Sequence, residues 1–399
     1  MNRRELLAEL AVETSTRIVF LVMDGLGGLP GPDGKTELEA ARTPNLDALA
    51  RNSLCGLTDP VSPGITPGSG PSHLALFGYD PIEFQVGRGV LEALGIDFPL
   101  GPSDVAMRAN FCIVDQRGIL VDRRAGRLET AQSAQLCQLL RSIKLEGVEV
   151  LVEPVKEHRF VVVFRGEGLS SEVADTDPQR TGVAPLEPEP RTPEAQRTAQ
   201  LAREFIRQAR AILRGHAANM VMLRGFSKYP NIPSLSHLYK LRPAAIAIYP
   251  MYRGLAKLVG MEVLAAGSSL EEQIQTLRAQ WDSYNFFYLH VKDPDRAGED
   301  GNFPAKVQAI GDVDRYLPAI QELGPQVLVV TGDHSTPAVL KGHSWHPVPI
   351  LLYSPWCVPD GHTEFSERAC RLGSLGRFPA VEVMGLALAY AQKLNKYGA

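Results

Sequence analysis

Four uninterrupted apolar runs constrain this chain more than any other feature. RIVFLVMDG (17–25), FFYLHVKD (286–293), QVLVVTGDHS (326–335) and VPILLYS (348–354) are rich in β-branched and aliphatic residues. Each reads as a buried strand, and three of the four stop on Asp or His followed by turn residues. Helical patterns separate them. In TPNLDALARNS (43–53) Thr43 is placed to cap and Pro44 suits the first turn. FPAKVQAIGDVDRYLPAIQELG (303–324) and VEVMGLALAYAQKLNK (381–396) follow. Strands alternating with helices predict an α/β fold with a mainly parallel sheet flanked by helices, and chemistry in such sheets gathers beyond the carboxyl ends of the strands.

The middle of the chain is patterned differently. VAMRANFCIVD, GILVDRRAG, VEVLVEP, RFVVVFRG and NMVMLRG are short, alternating strands, interrupted by two helical stretches, ETAQSAQLCQLLRSI and TPEAQRTAQLAREFIRQARAILRG. Residues 175–193 hold five prolines and read as an extended loop. The expected organisation is a core of residues 1–104 and 236–399 with a smaller α+β domain, 105–235, inserted into it.

Composition excludes several classes. A net charge of -4 argues against a general nucleic-acid binder. No apolar run reaches the roughly 18–20 residues that span a bilayer, and MNRRELLAELAVETSTR is too charged for a secretory signal. Cys55, Cys112, Cys137, Cys357 and Cys370 are single and odd in number, which suits reduced thiols and a cytoplasmic location.

The polar residues at the strand ends are Asp24; Asp293 and Asp295 with Glu299; Asp333 and His334; and His343 with His346 three further on. Carboxylates mixed with imidazoles suit Mn²⁺ or Zn²⁺, whereas a magnesium site usually lacks histidine. Two such ions about 3.5–4 Å apart activate a nucleophile and clamp a phosphoryl group. GITPGSGPSHLALFGYDP (64–81) offers the nucleophile: Ser69 lies on a Gly/Pro-rich bend, ahead of an apolar turn that is expected to start a helix. A serine hydroxyl needs a base or a metal to react, and a helix N-terminus favours an anion.

MDGLGG, TPGSGPSHLALFGYDP, HVKDPDRAGEDG, TGDHSTP and HSWHPVPILLYSP, in that order, closely resemble the archaeal-type cofactor-independent phosphoglycerate mutases of the alkaline phosphatase superfamily. GRGVLEALG, NFCIVDQRGILVDRRAGR, MLRGFSKYPNIPS and IAIYPMYRGLAKLVGM extend the likeness to nearly the whole chain. The resemblance implies an alkaline-phosphatase-like core, two divalent ions (Mn²⁺ foremost, with Zn²⁺, Co²⁺ and Mg²⁺ open) and exchange between 3-phosphoglycerate and 2-phosphoglycerate without 2,3-bisphosphoglycerate. It assigns Asp24, Ser69, Asp333 and His334 to one metal, with Ser69 becoming phosphorylated, and Asp295 and His343 to the other. The family's remaining ligand is a histidine four residues after the aspartate; here Glu299 stands in its place, with His346 as a substitute. Arg108, Arg123, Arg124, Arg127, Arg224 and Lys228 match the substrate domain, Arg124 and Arg224 foremost. Asp175 and Asp177 would orient those arginines or handle a proton, and Arg253 and Lys257 would approach the transferring phosphate. The implied partner is a small phosphorylated metabolite, with no nucleic acid and no membrane, and a homo-oligomer is left open. The alternatives are a phosphatase or a phosphopentomutase-like or homoserine-kinase-like relative on another metabolite, although no Walker-type loop is present, and a metal-binding regulator without activity.

Overall fold

Side chains that are apolar on both faces of a strand require cover on both sides, and the four runs form the middle of one such sheet. A computed structural model describes residues 2–398. In chain order its strands are β1 (Ile18–Met23), β2 (Ser53–Asp59), β3 (Val105–Val114), β4 (Leu120–Asp122), β5 (Glu149–Lys156), β6 (Arg159–Arg165) and β7 (Met220–Ser227). They continue with β8 (Pro243–Ile246), β9 (Glu262–Val263), β10 (Phe286–Val291), β11 (Val327–Thr331), β12 (Val348–Tyr353) and β13 (Gly376–Pro379). The chain divides into two compact units, one from residues up to Gln85 and from Ile232 onward, the other Val86–Asn231.

The larger unit holds an eight-stranded sheet in the order β13-β2-β12-β11-β1-β10-β8-β9. Its pairs are parallel except where β12 meets β11 and β2. This polarity decides where the site forms. β1, β10, β11 and β2 all end at one edge, and the reversed β12 begins there. Val19 and Leu21 of β1 pack with Leu289, Leu328 and Val330, against Leu46 and Leu49 of the helix Pro44–Ala50 and Ile310 and Leu317 of the helix Phe303–Gln321. Among the described residues no helix is long and apolar enough to cross a membrane.

The smaller unit is an antiparallel sheet, β4-β3-β6-β5 with β7 also on β3. Leu136, Cys137 and Leu140 of the helix Thr130–Leu140 and Ala202, Phe205 and Ala209 of the helix Gln196–Ile212 share one core with Val162, Phe164 and Val221.

Several local expectations differ from what is observed. The contact boundaries fall at 85/86 and 231/232 rather than at 104/105 and 235/236. The first moves because the helix Arg88–Gly95 packs on β3, and the Val90 amide donates to the Ser227 hydroxyl at 3.1 Å. Thr43 occupies the cap position of the helix Pro44–Ala50 but makes no side-chain cap bond. The helix after the serine bend already begins at Ser69 and ends at Leu76. β2 escaped the pattern reading because Gly56 and polar residues interrupt its apolar character, and β8 because it is four residues long.

Candidate active site

The segments after β1, β10 and β11 and before β12 hand polar residues to one place at the common edge. Asp24 follows β1, Asp333 and His334 follow β11, Lys292 and Asp295 follow β10, and His343 precedes β12. Ser69 arrives by the loop after β2, at the first position of an eight-residue helix capped by Gly68. The first amides of such a helix have no intrahelical partner.

Two groups of donor atoms result, Asp24, Asp333 and His334 in one and Asp295, His334 and His343 in the other. In the first, His334 Nε2 lies 3.4 Å from Asp24 Oδ1, 3.1 Å from Asp333 Oδ2 and 3.2 Å from Ser69 Oγ. All four residues are buried. Among the described residues Asp24 Oδ1 and Asp333 Oδ2 have no hydrogen-bond donor, an arrangement that a divalent cation satisfies. Burial pulls His334 down to about 4, so its imidazole is neutral near pH 7, as a metal ligand must be. In the second group His343 Nε2 lies 3.6 Å from Asp295 Oδ1. His343 Nδ1 donates to the Pro67 carbonyl at 2.9 Å, which leaves Nε2 as its lone-pair nitrogen.

Glu299 joins neither group. It is exposed at the last position of the helix Asp293–Glu299, whereas Asp295 is buried. A Cβ added at Gly298 would come 2.2 Å from the Thr336 carbonyl oxygen, so it is Gly298 that lies against the 334–337 loop. His346 is also outside both groups; its Nδ1 is 3.1 Å from Ser344 Oγ and its ring stacks on Trp345.

Several residues that organise this site carry no signal in the sequence. Lys292 Nζ donates to Asp24 Oδ2 at 3.0 Å, Asp295 Oδ2 at 2.5 Å and the Tyr252 hydroxyl at 3.0 Å. Burial alone would disfavour the charge on Asp24, yet Lys292, His290 and His334 outweigh it and hold the carboxyl well below the usual range. His290 Nε2 donates to Asp24 Oδ2 at 3.1 Å. His73, one turn after the serine, donates from Nδ1 to the Ser69 carbonyl at 2.8 Å and lies 3.2 Å from Asp333 Oδ2. Underneath, Lys306 donates to the Gly27 and Thr336 carbonyls, each at 2.9 Å. Glu37 accepts from the Leu29 and Ala338 amides, and Glu367 from the Gly28 amide and the Thr36 hydroxyl. A lysine or glutamate in a helical stretch reads as surface charge; here Lys306 and Glu37 tie together the two loops that carry Asp24 and His334, and Glu367 fastens the first of them. Arg253 and Lys257 lie on the helix Pro250–Leu258, where Tyr252 is the residue bonded to Lys292.

The smaller unit gathers cations. Arg108 on β3 faces Arg224 on β7 in register. Burial, and then the neighbouring Arg88, depress both, with Arg108 brought to about 9. Arg123 grips Asp177 through two bonds of 2.9 and 2.7 Å. Arg224 lies 3.6 Å from Asp177 and 3.9 Å from Asp175, which also accepts the Gly225 amide. Arg124 and Arg127 are exposed around a turn in which Ala125, Gly126 and Arg127 all have positive φ, clamped by Asp122 on the Arg124 and Gly126 amides. Lys228 is half-buried just after β7. Arg88, absent from the sequence expectation, sits in the GRGVLEALG stretch.

His158 is buried beside this cluster, and burial followed by Arg159, Arg108 and Arg124 brings it down to about 3. Its folded pKa lies below the unfolded value of about 6.5, so the unfolded chain binds the extra proton. Its contribution to stability is complete above that value and is lost as pH falls toward the folded pKa. Thermal unfolding at pH 7.5 and 5 is expected to show a smaller acid-induced decrease for His158→Gln than for the parent chain; equal decreases would contradict it.

Residues 50–219 match the family profile described as 2,3-bisphosphoglycerate-independent phosphoglycerate mutase. A protein of Thermotoga neapolitana described as a probable 2,3-bisphosphoglycerate-independent phosphoglycerate mutase is 52% identical over 402 residues, covering 100% of both chains. A solved cofactor-independent phosphoglycerate mutase from Thermoplasma acidophilum aligns with a TM-score of 0.68 and 32% identity, covering 94% of this chain and all of that one. A second solved structure, from Pyrococcus horikoshii, gives a TM-score of 0.84 at 26% identity over 97% of this chain and 100% of its own.

Proposed function

The chain belongs to the 2,3-bisphosphoglycerate-independent phosphoglycerate mutases, an isomerase family, and we propose that it interconverts 3-phosphoglycerate and 2-phosphoglycerate through a phosphoserine at Ser69. The observation that carries this reading is the position of Ser69 Oγ, 3.2 Å from His334 Nε2 in the group that contains the orphaned oxygens of Asp24 and Asp333.

We read Asp24, Ser69, Asp333 and His334 as the residues that hold one divalent ion, and Asp295 and His343 as those that hold a second. Manganese is favoured by the mixture of carboxylate and imidazole. Such ions supply Lewis acidity that favours the serine alkoxide and neutralises phosphoryl charge. The protein does the rest. Ser69 Oγ forms the new bond to phosphorus as the bond from phosphorus to the substrate oxygen breaks, and the departing oxygen takes up a proton. The other hydroxyl of glycerate then loses a proton, attacks the phosphoserine and regenerates Ser69, so that one difficult exchange becomes two transfers. Arg88, Arg108, Arg123, Arg124, Arg127, Arg224 and Lys228 provide cationic donors for an anionic substrate, with Asp175 and Asp177 orienting the guanidinium forks. Arg253 and Lys257 remain part of this proposal as cations of the core, and Glu299 does not. The single, free cysteines suit a reducing cytoplasm.

The test is conversion of 3-phosphoglycerate coupled to enolase, without 2,3-bisphosphoglycerate, using protein stripped by a chelator and then given single metals. Turnover is expected to vanish on chelation and to return with Mn²⁺. A requirement for 2,3-bisphosphoglycerate, or full turnover without any divalent ion, overturns the reading.

A further inference from the structure

The two donor groups share one imidazole, and a single hydroxyl decides which group it serves. Thr336 Oγ1 donates to Asp295 Oδ1 at 2.7 Å and lies 2.9 Å from His334 Nδ1. A carboxylate oxygen accepts only, so the one hydroxyl proton of Thr336 is directed to Asp295. The hydroxyl lone pair therefore faces His334, and Nδ1 must carry the proton that it accepts. That leaves Nε2 as the lone-pair nitrogen of His334, toward Asp24, Asp333 and Ser69.

We infer that Thr336 is the positioning residue of the metal centre: it assigns His334 to the Asp24–Asp333 group, fixes the tautomer of its ring and holds Asp295 of the other group in register with it. His334 Nδ1 also lies 4.0 Å from Asp295 Oδ1, close enough to be counted with the second group, but that nitrogen is taken by Thr336. Among the described residues the second group then draws on Asp295 and His343.

The surroundings leave Thr336 little freedom. Its carbonyl accepts from the buried Lys306 at 2.9 Å and its amide donates to the Gly27 carbonyl at 3.0 Å. A Cβ at Gly25, where φ is +67°, would stand 2.6 Å from Thr336 Oγ1, so the Asp-Gly that ends the first apolar run makes room for this hydroxyl. Gly298 does the same for its carbonyl. Outer contacts of this kind typically alter metal affinity about 10–100-fold.

The inference rests on the metal reading of the two groups, and one set of titrations separates their failures. Mn²⁺ is titrated calorimetrically into the chelated full-length protein and into Thr336→Val, Thr336→Ala and Thr336→Ser, with folding checked by circular dichroism. Val keeps the shape and loses the hydroxyl; Ser keeps the hydroxyl. Affinity is expected to fall about 10–100-fold in the Val and Ala variants and to stay near the parent value in the Ser variant. If Val does not fold, Ala decides. Parent-like binding by a folded variant without the hydroxyl overturns the inference, as does a Ser variant as weak as Val. No Mn²⁺ binding by the parent chain overturns the metal reading and the inference with it.

Discussion

Ser69→Ala is expected to lower mutase turnover by on the order of 10⁴-fold or more, the scale seen when a catalytic nucleophile is removed. The fold should survive. The helix Ser69–Leu76 is capped by Gly68 without a side-chain bond, and His73 holds the Ser69 carbonyl, which alanine retains. The hydroxyl makes one hydrogen bond, to His334, and losing it costs about 1 kcal/mol. Turnover in the enolase-coupled assay, circular dichroism and the mass gained on incubation with 3-phosphoglycerate test this together. The parent chain is expected to gain one phosphoryl group and the variant none. Normal turnover in the alanine variant would exclude a covalent route through this residue.

The second large effect falls on stability. Lys292 is the cation that Asp24 and Asp295 share, and both carboxylates are buried. Replacing it with methionine leaves two carboxylates in a low-dielectric setting without that counter-charge. Breaking a buried ion pair from one side costs about 3–5 kcal/mol. For a unit of this size that is a fall in Tm on the order of 10 °C in chelated protein. Added Mn²⁺ supplies positive charge to the same carboxylates, so it should raise the Tm of Lys292→Met by more than it raises that of the parent chain. An unchanged Tm in the chelated variant would show that Lys292 is not the compensating cation.

Residues with a strong local signal were readable in the chain itself. Asp24 directly follows one apolar run and Asp333 and His334 follow another after Thr331 and Gly332, and a strand that stops on a polar residue before a turn marks the edge of a parallel sheet. Ser69 stood out because the glycines and prolines around it read as a bend, although the helix already begins at Ser69 itself. Glu299 misled for a different reason. It was expected because it stands where the resembling family has a histidine four residues after the aspartate, but it is exposed at the end of its helix, and Gly298 takes the place against the 334–337 loop.

The apolar runs, the helices between them and the polar residue at each strand end are properties of neighbours along the chain. They determined the α/β class, the inserted antiparallel unit and most of the first donor group. The reversal of β12, the pairing of Lys292 with Asp24 and the direction of the Thr336 hydroxyl toward Asp295 depend on groups tens to hundreds of residues apart. Only tertiary packing decided them, because a buried polar side chain must find whichever partner the fold places beside it, and no local pattern names that partner.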